Sequence, residues 1–230
     1  GTEAVYRLHD GCWFAGGVAG RQSDVVLAAW QIKSTTSSLD QRLHLVAGKL
    51  VNNSVTWGTP NNVNETTANI ALATNGISRG ILMYTLGSAV RIRTVYVPTT
   101  GTGTSIIKGN VVDVQTNSSE GSLCYLGETG GQSYFVVAYK STSGSGNESY
   151  LKIIRHEGDS TNPTLGAQVK VEGATTNAHT TTHLIPISRN KFIVQVGQET
   201  SNTTMNVCTT SGYGIRVGPA YTSQQLGSAT

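Results

Sequence analysis

A glycine followed five residues later by a valine returns three times along this chain, in "SVTWGTPNNV" (Gly58, Val63), "SIIKGNVVDV" (Gly109, Val114) and "NPTLGAQVKV" (Gly166, Val171). Looser copies stand at "GIRVGPAYTS" around Gly218 and at the start, "GTEAVYRL", around Gly1. The successive glycines are 57, 51, 57 and 52 residues apart. A second marker keeps the same phase. The apolar runs "DVVLAAW", "RGILMYT", "SYFVVAY" and "KFIVQVG" place Trp30, Tyr84, Tyr139 and Val196 at intervals of 54, 55 and 57 residues. A period of this size describes a chain built from one repeated supersecondary unit, which limits the fold more than any local motif does.

Each interval holds about four strand-like segments separated by Gly, Ser, Thr and Asn clusters, and none shows a 3.6-residue apolar period. The third unit, for example, reads "SLCYLG", "SYFVVAY", "SYLKIIRH" and "GAQVKV". Four short antiparallel strands per unit predict an all-β fold, a β-propeller of four-stranded blades. A lone blade leaves both faces wet, whereas radial stacking buries them and keeps the edges short. This accounts for a second strand that is apolar throughout and a looser fourth. The expected organisation is a single domain, 1–230, with repeats at 11–66, 67–117, 118–176 and 177–227 after a leading outer strand. That count leaves closure open between four blades with an extra strand, five blades with a partial one, and part of a larger ring.

Only 13% of residues are charged and the formal net charge is +3 with the cations scattered, so the chain offers no basic stripe for phosphates and nucleic acid is excluded as a partner. No apolar run approaches 18 residues, which excludes insertion as a transmembrane helix. The chain begins at Gly1 without a signal peptide and is read as a processed form or an excised domain. Cys12, Cys124 and Cys208 are too widely spaced for a C-x-x-C site; they read as buried small apolar residues, the alternative being one disulfide and one free thiol.

The phrase T-W-G-T-P in "SVTWGTPNNVN", opening the outer strand of a repeated unit, resembles the propeller-like repeats of phage tail fibres and related adhesive, lectin-type proteins. The likeness covers the chain through its period, while the later copies lack Trp57 and Pro60. It implies a module that binds glycans or a host-surface receptor, extracellular, secreted or on a virion fibre. The same stretch resembles the Asp-box of sialidase propellers, Ser-x-Asp-x-Gly-x-Thr-Trp, with Asn52, Ser54, Thr56 and Trp57 in phase, Asn in place of Asp and Ser in place of Gly. That box is a structural turn and implies no catalysis.

Residue chemistry gives few catalytic candidates. Glycoside hydrolysis needs two carboxylates across a cleft, and Asp10, Asp24, Asp40, Asp113 and Asp159 sit near turns without a common phase. His179 and His183, four apart in a β-branched segment, would lie about 13 Å apart along a strand, too far for one ion. No catalytic residue, metal ligand or cofactor is therefore assigned. Sugars stack on aromatic rings, so the strand-end aromatics Trp57, Trp13 and Tyr213 are the ligand-binding candidates, while Trp30, Tyr84 and Tyr139 read as core between blades. Connections after second and fourth strands share one face, which collects amide-rich loops such as "VNETTAN" and "KSTSGSGNES" suited to recognition. Five N-x-[ST] sequons, at Asn52, Asn64, Asn117, Asn147 and Asn202, are potential glycan carriers. The leading expectation is a non-enzymatic adhesive module. A structural propeller in an extracellular filament or virion is the alternative, including a homo-oligomer or a neighbouring chain of a larger assembly, and a glycoside hydrolase is the second alternative.

Overall fold

The computed structural model describes residues 5–14, 25–33, 42–52, 54–66, 68–98, 104–142, 148–157, 162–171, 179–198 and 202–224, and every statement below concerns these. They form antiparallel strands and turns in four sheets. The first contains β1 (Val5–Phe14), β2 (Val25–Lys33) and β3 (Arg42–Val51), with β4 (Ser54–Trp57) and β5 (Asn61–Thr66) both pairing β3. The second runs β6 (Ala68–Thr74), β7 (Arg79–Leu86), β8 (Ala89–Tyr96) and β9 (Ile107–Thr116). The third has β10 (Ser118–Thr129), β11 (Gln132–Ser141) and β12 (Glu148–His156), then β13 (Thr164–Leu165) and β14 (Val169–Lys170), both on β12. The fourth runs β15 (His179–Ser188), β16 (Lys191–Gln198), β17 (Asn202–Ser211) and β18 (Gly214–Gln224).

The repeated glycine marks one event in all four sheets: the outermost strand is interrupted there. In the first and third sheets the strand breaks in two around Gly58 and Gly166, whose N–H groups donate to Ala47 O and Ile153 O at 2.9 Å. In the second and fourth sheets the strand stays whole, but its register slips across Lys108–Val111 and Val217–Ala220, the stretches that hold Gly109 and Gly218. Glycine is required by space at three of these points. A Cβ would lie 2.5 Å from Thr104 O at Gly58, 2.8 Å from Tyr213 O at Gly166 and 2.7 Å from Val207 O at Gly218. A residue that lets another backbone approach this closely is the usual reason for glycine in a strand. The valines five residues on, Val63, Val114 and Val171, return to the sheet and are buried.

The second-strand marker is the core. Alternate residues of β2, β7, β11 and β16 point to opposite faces, and each internal sheet buries both. Leu27, Ala29, Leu43 and Leu45 of the first sheet pack against Leu82 and Tyr84 of the second. Ile81, Met83 and Ile92 pack against Phe135, Val137 and Tyr139 of the third, and Val136, Ala138, Leu151 and Ile153 against Phe192, Val194 and Val196 of the fourth. First strands also meet consecutively, β1 with β6, β6 with β10 and β10 with β15. The result is a propeller-like row of four sheets.

Two expectations are corrected. The expected leading outer strand is instead part of β1, the first strand of the first sheet, paired antiparallel with β2 from Val5↔Lys33 to Phe14↔Val25. Gly1 lies outside the described residues. The phrase T-W-G-T-P does not open the outer strand but interrupts it, because β4 already pairs β3 from Ser54 to Trp57 and the strand resumes at Asn61 after the break at Gly58.

Cys124 and Cys208 are free and buried between the third and fourth sheets, where desolvation pushes both thiols up to about 12; the Cys12 side chain is outside the described residues. Only the thiolate attacks a disulfide reagent. In a Cys12→Ser background the native protein is expected to leave an aromatic disulfide reagent unreacted at pH 8, and to consume two equivalents once unfolded in urea. Absorbance of the released thiol measures this.

Candidate functional site

The hairpins that join first to second and third to fourth strands gather at one end of the sheets. The β6–β7 turn is held by Asn75, whose Oδ1 accepts the N–H groups of Ile77, Ser78 and Arg79 at 2.9–3.0 Å. The β10–β11 turn is Gly130-Gly131, with φ of 58° and 72°, which two-residue hairpins need and glycine supplies freely. The β15–β16 turn is Arg189-Asn190, and the β17–β18 turn is Gly212-Tyr213.

Between the third and fourth sheets the β10–β11, β15–β16 and β17–β18 hairpins line a half-open cavity of about 430 Å³. Leu126 and Ile153 give it apolar walls, and Tyr134, Thr129, Arg189, Asn190 and Thr210 are its polar lining. The volume falls in the range of small-ligand sites, and the mixture of apolar walls with a few polar groups is typical of them. Arg189 reaches across from its turn because Gly127 has no side chain: a Cβ there would sit 2.5 Å from Arg189 Cγ. Its guanidinium donates to Thr129 Oγ1.

Tyr134 connects the cavity to a polar network. Its hydroxyl donates to Gln132 Oε1 at 3.1 Å, and Gln132 Nε2 donates to Glu157 Oε2 at 2.7 Å. Arg155 donates to Gln132 Oε1 and Glu157 Oε1, each at 3.4 Å. Register puts these groups on one face: Tyr134 pairs Arg155 across β11–β12, and both rings or stems meet Tyr213. The Tyr134 and Tyr213 rings are 6.4 Å apart edge to face, and the Arg155 guanidinium lies 4.8 Å from the Tyr213 ring centre. The Tyr213 hydroxyl and Arg155 Nε are buried with no protein partner. A second set faces the other way, toward the second sheet. There Asn75 Nδ2 donates to Glu128 at 3.4 Å and Ser133 at 3.2 Å, and Arg79 donates to Gly131 O. Beside it, burial above all, with the Glu128 charge adding to it, raises the Tyr125 hydroxyl above its usual range, and Arg189 and Arg79 oppose the rise.

Of the aromatic candidates, Tyr213 and Trp57 lie apart. Tyr213 stands beside the cavity, whereas Trp57 is on the outer strand of the first sheet, 49% exposed, its ring laid over Gly48. Trp13 belongs to β1, and its side chain lies outside the described residues. Asn52, with a φ of 50°, lies in the β3–β4 turn, the place where the Asp-box likeness put a structural turn. Asn117 lies between β9 and β10; Asn64 and Asn202 fall in β5 and β17, and Asn147 is outside the described residues. The amide-rich connections around Asn117 and Thr142 lie at the end opposite the cavity, with Thr142 N donating to Asn117 O at 2.7 Å. Asp113 is paired with Arg91 at 2.8 Å, and among the described residues no group of three His, Cys, Asp or Glu side chains is arranged for a metal. Sequence reading missed Glu157, Arg155, Tyr134 and Arg189. It weighed aspartates alone as carboxylates, and the signal that would have found the others was their position, at strand ends on the hairpin side of the third and fourth units.

No protein-family model matches the chain, and no curated protein matches it in sequence. Among solved structures, Hadza microbial sialidase Hz136 superposes with a TM-score of 0.51 at 10% sequence identity, over 91% of this chain. The likeness is one of fold. This chain spans 45% of the sialidase's length. The finding supports a propeller-like all-β fold and gives no support to a tail-fibre or lectin-type repeat family. It corrects the leading functional expectation. A non-enzymatic adhesive module was expected for want of a catalytic cluster, whereas this fold neighbour is a sialidase, so the adhesive reading is not carried forward. The expectation that the chain is not an enzyme sits against the same finding.

Proposed function

We propose that the chain is a glycan-acting domain of glycoside hydrolase type, its four sheets serving as consecutive propeller blades and its site lying in the cavity between the third and fourth. The observation that carries this reading is the hydrogen-bonded line from cavity to carboxylate: Tyr134 on the wall, Gln132 behind it, Glu157 at its end. Glycosidic cleavage needs a group that moves a proton at the leaving oxygen and a group that meets the anomeric carbon, the second being a phenol in some enzymes. Glu157 is the proton-transfer group on this reading, and Tyr134 offers the phenol. Gln132 sets the distance and orientation between them. The sialidase likeness supports an acidic sugar as substrate, and Arg189, at the cavity wall, is the group suited to its carboxylate. A substrate of this kind belongs to extracellular glycans.

The test is calorimetric titration with an acidic monosaccharide and with its neutral, carboxyl-reduced counterpart. The acidic sugar is expected to bind and the neutral one to bind at least tenfold more weakly. Arg189→Ala is expected to erase that preference while the far-ultraviolet circular dichroism stays unchanged. Equal affinity for the two sugars in the parent protein would remove the acidic-substrate assignment.

A further inference from the structure

We infer that the first and fourth sheets carry the two halves of a head-to-tail interface with a second copy of this chain. The repeat phase identifies the faces. Each of the first three sheets packs a forward face, Leu27 and Ala29, Ile81 and Met83, Val136 and Ala138, onto the backward face of the next, Leu82 and Tyr84, Val137 and Tyr139, Val194 and Val196. In the same phase, the forward face of the fourth sheet is that of Ile193 and Gln195, and the backward face of the first is that of Ala28 and Trp30. Among the described residues neither is covered by a further sheet, although Ala28 and its partner Val46 on the backward face are buried.

Both are apolar. Directly paired across the fourth sheet, Ile185, Ile193 and Val207 form one row and Gln195, Met205 and Tyr221 the next. Ile185 is 46% exposed, Ile187 53%, Val207 38% and Tyr221 65%. In the first sheet, Val26 pairs Gly48 and Gly48 pairs Trp57, so Trp57 joins Trp30, stacked at 5.4 Å on His44, on the backward face. A solvent-facing sheet surface is normally polar in alternation with a buried one. Here β16 and β17 are apolar or uncharged on both sides over Phe192–Val196 and Thr204–Cys208, the pattern of a sheet covered twice.

The occupant follows from continuity. Three interfaces of one kind already join forward to backward faces, and the two ends left over are the matching halves of a fourth. Among the described residues no sheet covers the forward face of the fourth sheet, and the surface that continues the forward-to-backward packing is the backward face of a first sheet, which a second copy offers. Interfaces of this heterologous type close into a ring when the rotation permits.

Sedimentation equilibrium of the 230-residue chain is expected to give twice its 24.2 kDa mass. Val207→Glu (forward face) and Trp57→Glu (backward face) are each expected to give monomers with unchanged circular dichroism, both side chains being exposed. Because the two faces differ, an equimolar mixture of the two variants keeps one intact forward–backward pair and is expected to recover a 1:1 dimer. A parent protein that is monomeric at every concentration, or variants that stay dimeric singly or monomeric when mixed, overturns the inference. Ile185→Glu serves as a second forward-face variant should Val207→Glu unfold.

Discussion

Replacing Phe135 with alanine is expected to destabilise the protein by about 3–5 kcal/mol, the cost of deleting a fully buried aromatic side chain from a core that only partly collapses. Phe135 is the part of β11 that fills the space between the second and third sheets, fully buried among Ile81, Ile92, Val137 and Ile154. Its ring lies 5.2 Å from that of Tyr125, tilted by 56°, an arrangement that contributes beyond area alone. The cavity left behind would be walled by rigid strands from two sheets, which cannot move inward without breaking register. Since whole domains are stable by only about 5–15 kcal/mol, the loss is a large fraction of the total. A urea titration followed by circular dichroism measures it as a lowered midpoint with little change in slope.

Most of the architecture was legible in the sequence because two markers obeyed two different rules. The tyrosine marker reports a buried central strand, and Tyr84 and Tyr139 are both fully buried. The glycine marker reports backbone approach at the interrupted outer strand, which Gly58, Gly166 and Gly218 share even though two interruptions split the strand and the third only shifts its register. The start of the chain misled for a physical reason. "GTEAVYRL" carries a glycine in the right phase, but phase alone does not say on which side a strand pairs, and Val5–Phe14 pairs with β2. Trp57 was ambiguous for a similar reason. A tryptophan at a strand end suits a sugar as well as a neighbouring sheet, and only the pairing with Gly48 put it on the same face of the first sheet as Val26 and Trp30.

The second large effect is expected at Glu157. Glu157→Gln keeps the size and one acceptor but removes the exchangeable proton and the charge, so on the proposed reading turnover should fall by about 10²–10⁴-fold, the usual contribution of a positioned acid–base group. Stability should change little: Glu157 is partly exposed, and its partners Gln132 and Arg155 retain each other at 3.4 Å. The site was far less legible than the fold. Glu157 follows β12, Tyr134 lies on β11 and Arg189 on the β15–β16 turn, so three separate parts of two repeats supply it. None of them recurs in the repeat phase, because a site needs different groups from neighbouring units whereas a core needs the same group from each. Tyr213 alone was singled out from sequence, as an aromatic at a strand end, and its contact with Tyr134 and Arg155 joins it to the network.

The decisive measurement is the rate of aglycone release from a chromogenic acidic glycoside by the parent protein and by Glu157→Gln, side by side at equal concentration. Release by the parent, reduced by two orders of magnitude or more in a folded Glu157→Gln, is the expected result. No release by the parent, or release at the same rate by both, would contradict a glycosidase site at Glu157 and Tyr134.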